Sequence, residues 1–593
     1  MRSQHCFFVI AMLIAPAAAV ADEAKPTPKT IAHIKLSGEL DESPVPADPL
    51  FGAAGENFKT KLDRIAKAKN DPKVVALFLE IGDLQIGFGK LGELRRALAD
   101  FRASGKKVYA WMEDANTMEY LLACGCDVAA MPESGTLMLV GLRASVTFFK
   151  DTLELLRIKA DVLKMGDYKG AVEPFTRSSL SKENREQIES LLDDHFDHDL
   201  VDVIVASRPD KKWTANSVKS LIDDGPYTAK KAAEVGLIDR LAYAAEFEVF
   251  IQAEQKSEKV TITRKYGQEK RDELDFSNPL ALFKLFSPPK TKESKEPKIA
   301  VIYAVGAIET GKGGSNPLSG NSVGSTTIVE AIRQAEKDAT VKAIVLRVDS
   351  PGGSALASDL IWNELRNCKK PVVASMGDVA ASGGYYISMA AQRIYAEPGT
   401  TTGSIGVFGL KLVTGGLTSW GGLKTETIQR GRNAGIMTTE RPFNETERKA
   451  MTAIIEGVYA QFIDKALAGR QKAGVKMDRD RLLSLAGGRV WTGRQAKERG
   501  LVDELGTLND AVAGAKKLAG IDPSKEMELL QLPKPASFLD KLMEGEFKSP
   551  FGHSQLDDLL ALPEAAKALR DVGSLLRQRD QIKALMPYRL EVR

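Results

Sequence analysis

Two stretches decide the fold: YTAKKAAEVGLIDRL at residues 227–241 and WTGRQAKERGLVDEL at residues 491–505. The second echoes the first, and other segments repeat in the same order. TIAHIKLSGEL from Thr30 matches KIAVIYAVGAI from Lys298, and each reads as an opening strand ending near a glycine, Gly38 or Gly306. VVALFLEI from Val74 matches VKAIVLRV from Val341, both apolar strand patterns. KKVYAWMEDANTMEYLLA from Lys106 resembles KKPVVASMGDVAASGGYYISMA from Lys369, and MPESGT and AEPGTTTGSIG follow in matching places. The offset settles at 264 or 265 residues. The chain is therefore duplicated.

Strand patterns alternate with helical ones. SKENREQIESLLDDHFDHDLVDVIVA from Ser181 has helical spacing at Ile188, Leu191 and Leu192, and Asn444 with Glu447 predicts a capping box for the helix that follows. This alternation predicts α/β domains, one at 30–250 and one at 298–525. Residues 251–297, heavily charged and carrying Pro288 and Pro289, read as an interdomain connection. Residues 526–593 read as a tail with helical pieces, such as LPEAAKALRDVGSLLRQRDQIKAL.

Composition narrows the function. The 593 residues carry 82 basic and 79 acidic side chains, a net charge of +3 that offers no electrostatic footprint for nucleic acid. Residues 1–21 have a weakly positive start at Arg2, a short apolar run from Phe7 to Ala15, and small residues at Ala19 and Ala21. They read as a secretory leader cut after Ala21, which makes the mature chain extracytoplasmic. The competing reading is an uncleaved anchor from Cys6 to Val20. The remaining cysteines, Cys124, Cys126 and Cys368, are not a disulfide framework, and the CGC pair lacks the second pair a metal site would need.

The halves differ where chemistry would sit. GDVAASGGYY at residues 377–386 places Ser382 among alanines and glycines, and DSPGG at 349–353 supplies a glycine-rich turn after a strand. Such a turn can present backbone N–H groups to an anion. In the first half IGDLQIG replaces DSPGG. Aligning Met112 with Met376 sets Met118 opposite Ser382, and a register one residue over sets Thr117 there. No histidine lies in a strand-end motif of the second half. His195 and His198, in LLDDHFDHD, read as the wet face of a helix rather than a metal cluster.

A lysine can replace histidine as base if burial lowers its pKa. LKMGDYKGAVEPFTR at 163–177 offers Lys169 among small and apolar residues, and pairing Gly166 with Gly431 sets Ala434 opposite it. Each half lacks what the other has, which predicts one composite site across both.

At GDYKGAVEPF, VDSPGG, GDVAASGGYY and TTGSIGV the chain resembles the signal peptide peptidase A (protease IV) family in its long, duplicated form, over nearly all of residues 30–525. These are serine–lysine peptidases of the crotonase-like (ClpP-like) fold. The resemblance implies Ser382 as nucleophile and Lys169 as general base. It places Gly352 and Gly353 near the oxyanion-binding loop, with the Gly353 N–H favoured as donor, and it assigns Ser404 to orienting the lysine amine. It further implies no cofactor or metal, a homotetramer, and cleaved signal peptides and other unfolded apolar peptides as substrates near the inner membrane. Long-form members carry an N-terminal membrane anchor, whereas this chain's leader looks short and cleavable. The rival readings are an acyl-CoA enzyme of the crotonase class and a non-catalytic scaffold.

Overall fold

The computed structural model describes residues 29–44, 56–255, 260–268, 294–316, 320–534 and 582–585. Each half is built on a parallel sheet, and the two sheets have one strand order. The first runs Val260–Thr263, Lys29–Gly38, Val74–Leu84, Lys107–Met112, Val128–Met131, Arg240–Leu241. The second runs Glu528–Leu532, Lys298–Val305, Val341–Ser350, Val372–Ala381, Arg393–Ala396, Glu504–Leu505. Every neighbouring pair in these two orders is parallel; the second sheet also carries Thr401–Gly403, parallel to the end of Val372–Ala381, and its antiparallel neighbour Val490–Thr492. Parallel strands are covered on both faces, which is why they read as continuous apolar runs. In Lys298–Val305, Ala300, Ile302 and Ala304 enter the core on one face. Ile299, Val301 and Tyr303 alternate with them and meet the helix Leu508–Leu518 on the other.

The matching order corrects two boundaries. Residues 260–263, expected in the connection, form the edge strand of the first sheet, and 528–532, expected in a helical tail, form the same edge of the second. Both are short, partly exposed edge strands beside charged segments, so composition hides them. A second piece of the expected helical tail, Ile582–Leu585, is also a strand. The leader at 1–21 and residues 535–581 and 586–593 of the tail lie outside the described residues.

The predicted helices form. Ser181 caps Lys182–Asp194, accepting from the Asn184 N–H, and Asn444 and Glu447 make a reciprocal capping box at the start of Glu445–Lys472. The wet-face reading fails for His195. That ring is buried, stacked on Phe88 at 4.5 Å, with Nδ1 2.7 Å from Asp199, whereas His198 is exposed. A π-helical stretch, His195–Val201, rotates the histidine toward the helix Phe88–Ala103. Cys124, Cys126 and Cys368 are free thiols.

The strand comparison also selects a register between the halves. Asn116 pairs with Met138 as Ala381 pairs with Gly403. The residue after each is Thr117 and Ser382, so Thr117 occupies the Ser382 position.

Charged groups lock the halves together. Buried Arg347, on the second sheet, lies 3.0 Å from Glu42 and 2.7 Å from Glu93, both from the first half. Asp378 accepts from the backbone N–H groups of Gly87 and Lys90 at 2.8 and 2.7 Å, capping the first half's Phe88–Ala103 helix. The Lys90 ammonium reaches Asp349 at 2.9 Å, immediately before the glycine-rich turn. The strand Lys159–Met165 leaves its own half altogether and pairs antiparallel with Val407–Val413 of the other.

Candidate active site

Ser382 stands between the strand Val372–Ala381 and the short helix Gly383–Ser388. Its backbone is at φ 57°, ψ −111°, a conformation an L-residue adopts only when its surroundings impose it. Those surroundings are a hydrogen bond from its N–H to the Gly403 carbonyl and one from the Tyr386 N–H to its own carbonyl, both 2.8 Å. The turn aims the side chain back across the end of the sheet. It is fully buried.

Lys169 arrives there on the Lys159–Met165 strand and the turn after it. The Tyr168 N–H donates to the Gly487 carbonyl at 3.0 Å. Gln187 donates to the Tyr168 carbonyl at 2.9 Å and accepts from the Val490 N–H at 3.1 Å, tying the lysine turn to the serine half. Gly488 has to be glycine: a Cβ there would stand 2.6 Å from the Lys169 nitrogen and Cα.

The Lys169 Nζ lies 2.7 Å from Ser382 Oγ, 3.0 Å from Ser404 Oγ and 3.2 Å from the Ser404 carbonyl. Burial alone acts on its pKa, pushing it well below the ordinary lysine value. A neutral amine has two N–H donors and one lone pair. With its two N–H groups donated to the Ser404 oxygens, such an amine has its lone pair left for the Ser382 hydroxyl. Ser404 is held at φ 53° by its N–H bond to the Arg489 carbonyl, 2.7 Å, which turns both its oxygens toward the lysine.

The two glycines of the turn differ. The Gly352 N–H donates to Ser350 Oγ at 3.1 Å, so that donor is already engaged. Gly353 packs so closely on its parallel neighbour, the strand Ala307–Glu309, that a Cβ would sit 2.1 Å from the Ile308 carbonyl oxygen. A Cβ on Gly383 would stand 3.1 Å from the Gly353 nitrogen, so the Gly353 and Gly383 backbones face each other beside Ser382. As the first residue of its helix, Gly383 has no intrahelical partner for its N–H. Sequence reasoning did not single out Gly383 or Gln187. The paired glycines of GDVAASGGYY were the available signal for the first. Gln187 sits on an ordinary amphipathic helix and carried none.

A buried lysine amine against a buried serine hydroxyl, next to a backbone N–H turn, on a duplicated α/β scaffold, is the arrangement of a serine hydrolase that uses lysine in place of histidine. Comparison with known proteins agrees in class. The family model of Peptidase family S49 matches residues 100–258 and 364–522, and that of Clp protease matches 320–401. The chain is 34% identical to "Serine protease SPPA, chloroplastic" of Arabidopsis thaliana over 529 residues, covering 87% of this chain and 74% of that one. It is 33% identical to "Protease 4" of Salmonella typhi over 512 residues, 84% of this chain and 78% of that one. A solved ClpP1 mutant from Listeria monocytogenes aligns with 36% of the chain at 15% identity and a TM-score of 0.23, too low to bear on the argument. The chain belongs to Peptidase family S49, as a duplicated member of the SppA and protease IV type, and is a serine endopeptidase.

Proposed function

We propose that Ser382 and Lys169 form the catalytic dyad of this peptidase. The observation that carries the reading is the lysine's surroundings: full burial, which alone acts on its pKa and lowers it, and Nζ contacts to the Ser382 hydroxyl and both Ser404 oxygens. Lys169 accepts the Ser382 proton as the alkoxide attacks a peptide carbonyl. The Gly353 and Gly383 N–H groups stabilise the oxyanion, Gly353 as expected and Gly383 in place of Gly352. The ammonium then protonates the leaving amine, and water hydrolyses the acyl-enzyme. Ser404 orients the amine through its two oxygens.

Each half adopts the crotonase-like (ClpP-like) fold in this reading. The mature chain works outside the cytoplasm on unfolded apolar peptides, including cleaved signal peptides. Among the described residues no helix is long and apolar enough to cross a membrane, and the choice between a leader and an anchor falls on residues outside them.

The chain works as a homotetramer, and the duplication supplies a physical reason for assembly. Lys159–Met165 pairs with Val407–Val413. At the 265-residue offset their counterparts are 424–430 and 142–148. Residues 424–430 are exposed and lie in no strand. A second copy's 142–148 completes that joint, head to tail, and a ring closes it.

The test is hydrolysis of a fluorogenic apolar peptide by the mature chain, with Ser382→Ala and Lys169→Ala beside it and folding checked by circular dichroism. Both folded variants are expected to be inactive. Full activity in Lys169→Ala would place the base elsewhere.

A further inference from the structure

The strand that leads into Ser382 is not regular. In its pairing with Val341–Ser350, Val348 stands opposite Met376 and Ser350 opposite Ala380, so Gly377, Asp378 and Val379 together face the single residue Asp349. Such a bulge bends its strand and re-aims the residues that follow. Here those residues are Ser382 and Gly383, while Asp349 on the facing strand leads into the turn that carries Gly353. The bulge therefore sets how the Gly353 and Gly383 backbones stand to each other.

The first half holds the bulge in shape. Asp349 Oδ1 accepts from the Val379 N–H at 3.0 Å, across the bulge. The Lys90 ammonium lies 2.9 Å from the other Asp349 oxygen and 3.5 Å from Asp378. IGFGK at residues 86–90 allows this close approach: a Cβ on Gly87 would stand 2.6 Å from Asp378 Cγ, and one on Gly89 would stand 2.7 Å from the Gly377 carbonyl oxygen. Lys90 is buried. Burial alone would lower its pKa, but Asp349, Asp378 and Glu42 outweigh burial and hold it above the ordinary lysine value.

We propose that Lys90 is a positioning residue for the oxyanion-binding N–H pair, acting through Asp349 and the bulge; this rests on the assignment of Ser382, Lys169 and the Gly353 and Gly383 donors above. The first half then gives the site two buried lysines, Lys169 poised neutral beside the serine and Lys90 held charged behind the turn. With Lys90 in place, Asp349 stays ionised and keeps its bond to Val379, so the turn and the serine strand hold one spacing. Without it, Asp349 is a largely buried carboxylate beside Asp378, with Arg347 as its remaining cationic neighbour. It must then take up a proton or move toward water, and the spacing is lost. Oxyanion donors act only if fixed in advance, so the loss falls on the transition state rather than on substrate binding. The Lys90 ammonium contacts Asp349 and Asp378 rather than the dyad, so the pH limb set by Lys169 stays where it is.

The test is Lys90→Met, which keeps the stem and removes the charge. With a fluorogenic apolar peptide, at a temperature where circular dichroism shows the fold intact, kcat is expected to fall about 10²-fold. KM should stay within about twofold of the parent, and the pH limb of kcat/KM should not move. A peptide boronic acid forms a tetrahedral adduct on a serine and presents an oxygen to the oxyanion donors. Its affinity should fall in proportion to kcat, which a residue that only stabilised the fold would not cause. Lys90→Met with Asp349→Asn leaves no uncompensated charge and keeps an acceptor for the Val379 N–H, so its kcat should lie between the two, about tenfold below the parent. If Lys90→Met does not fold, this double variant decides by the same readouts. Parent kcat in the folded variant would overturn the proposal, as would a fall in kcat with boronate affinity unchanged or with the pH limb displaced. Boronate affinity undiminished by Ser382→Ala would remove the dyad assignment itself, and this proposal with it.

Discussion

Lys169 and Ser382 are 213 residues apart in the chain and 2.7 Å apart in space. One comes from each half of a duplicated protein, and neither half has both. The contact exists because the Lys159–Met165 strand crosses into the sheet of the other half, and because the Asp378, Arg347 and Gln187 bonds fix the halves against each other. The site is a property of the joint.

The pH profile of hydrolysis follows from the lysine. In the proposed dyad the neutral amine is the working form, and burial holds its pKa below the ordinary lysine value. kcat/KM should therefore rise as pH climbs through that lowered pKa and level off above it. Lys169→Ala and Ser382→Ala should each lower kcat by about 10³-fold or more. Ser404→Ala removes one of the two oxygens that accept from the amine, leaves the carbonyl, and should cost roughly tenfold with its pH limb displaced. Initial rates at pH 5 to 10 measure all three.

Lys169 should also lower stability. In the unfolded chain it takes up a proton below its ordinary pKa, whereas in the folded chain it stays neutral down to a lower pH. Between those two values the unfolded state binds more protons, so this group's contribution makes the fold more stable as pH rises. Lys169→Met should therefore be inactive and more stable at neutral pH. The gain should shrink toward zero as pH approaches 10, near the ordinary lysine value. Urea unfolding at pH 7 and pH 10 checks both the size and the sign.

The turn at Gly353 allows no side chain. Gly353→Ala drives a methyl group to within 2.1 Å of the Ile308 carbonyl oxygen, so the turn must move and its N–H with it. Loss of one oxyanion donor should cost about 10²–10³-fold in kcat. Gly352→Ala is expected to act through the Ser350 bond, shifting the turn without removing a donor. Comparing kcat and KM for the two variants separates these effects.

Much of this was legible in the sequence because it was written twice. The duplication marked the repeated α/β units, and VVALFLEI and VKAIVLRV are their central strands, buried on both faces. It also pointed to a composite site, since Ala434 stands opposite Lys169, while the Thr117 opposite Ser382 keeps a hydroxyl but has no lysine loop facing it from its own half. What stayed hidden had no strong local signal. The edge strands at 260–263 and 528–532 are short, partly exposed and embedded among charges, so only their sheet partners define them. The orientation of His195 depends on a π-helical turn, which helical periodicity does not encode. The Gly352 N–H was lost as a donor to Ser350, a contact between residues two apart that composition cannot show.

The charged joint makes a prediction of its own. Arg347 is fully buried and Glu42 nearly so. Glu42→Ala would leave part of a buried guanidinium uncompensated, with Glu93 as its remaining carboxylate neighbour. Breaking one partner of such a group costs about 3–5 kcal/mol. The loss should appear in urea unfolding. It should also lower activity at temperatures where the fold is still intact, because Glu42 helps hold the lysine half against the serine half.

The remaining prediction concerns assembly. Leu163, on the strand that crosses between halves, packs against the core of the serine half. Its counterpart at the 265-residue offset is Ile428, which is 83% exposed. Leu423, at the end of the same stretch, is 65% exposed. If the duplicated joint is completed by a second copy, Ile428 is buried there as Leu163 is buried within the chain, and a charge at that place cannot be accommodated. Ile428→Asp should therefore shift the proposed tetramer to smaller species in light scattering while leaving circular dichroism unchanged. Lys424→Ala, on the same stretch but polar, should shift it little. An Ile428→Asp chain with the parent's mass in solution would show that the assembly uses another surface.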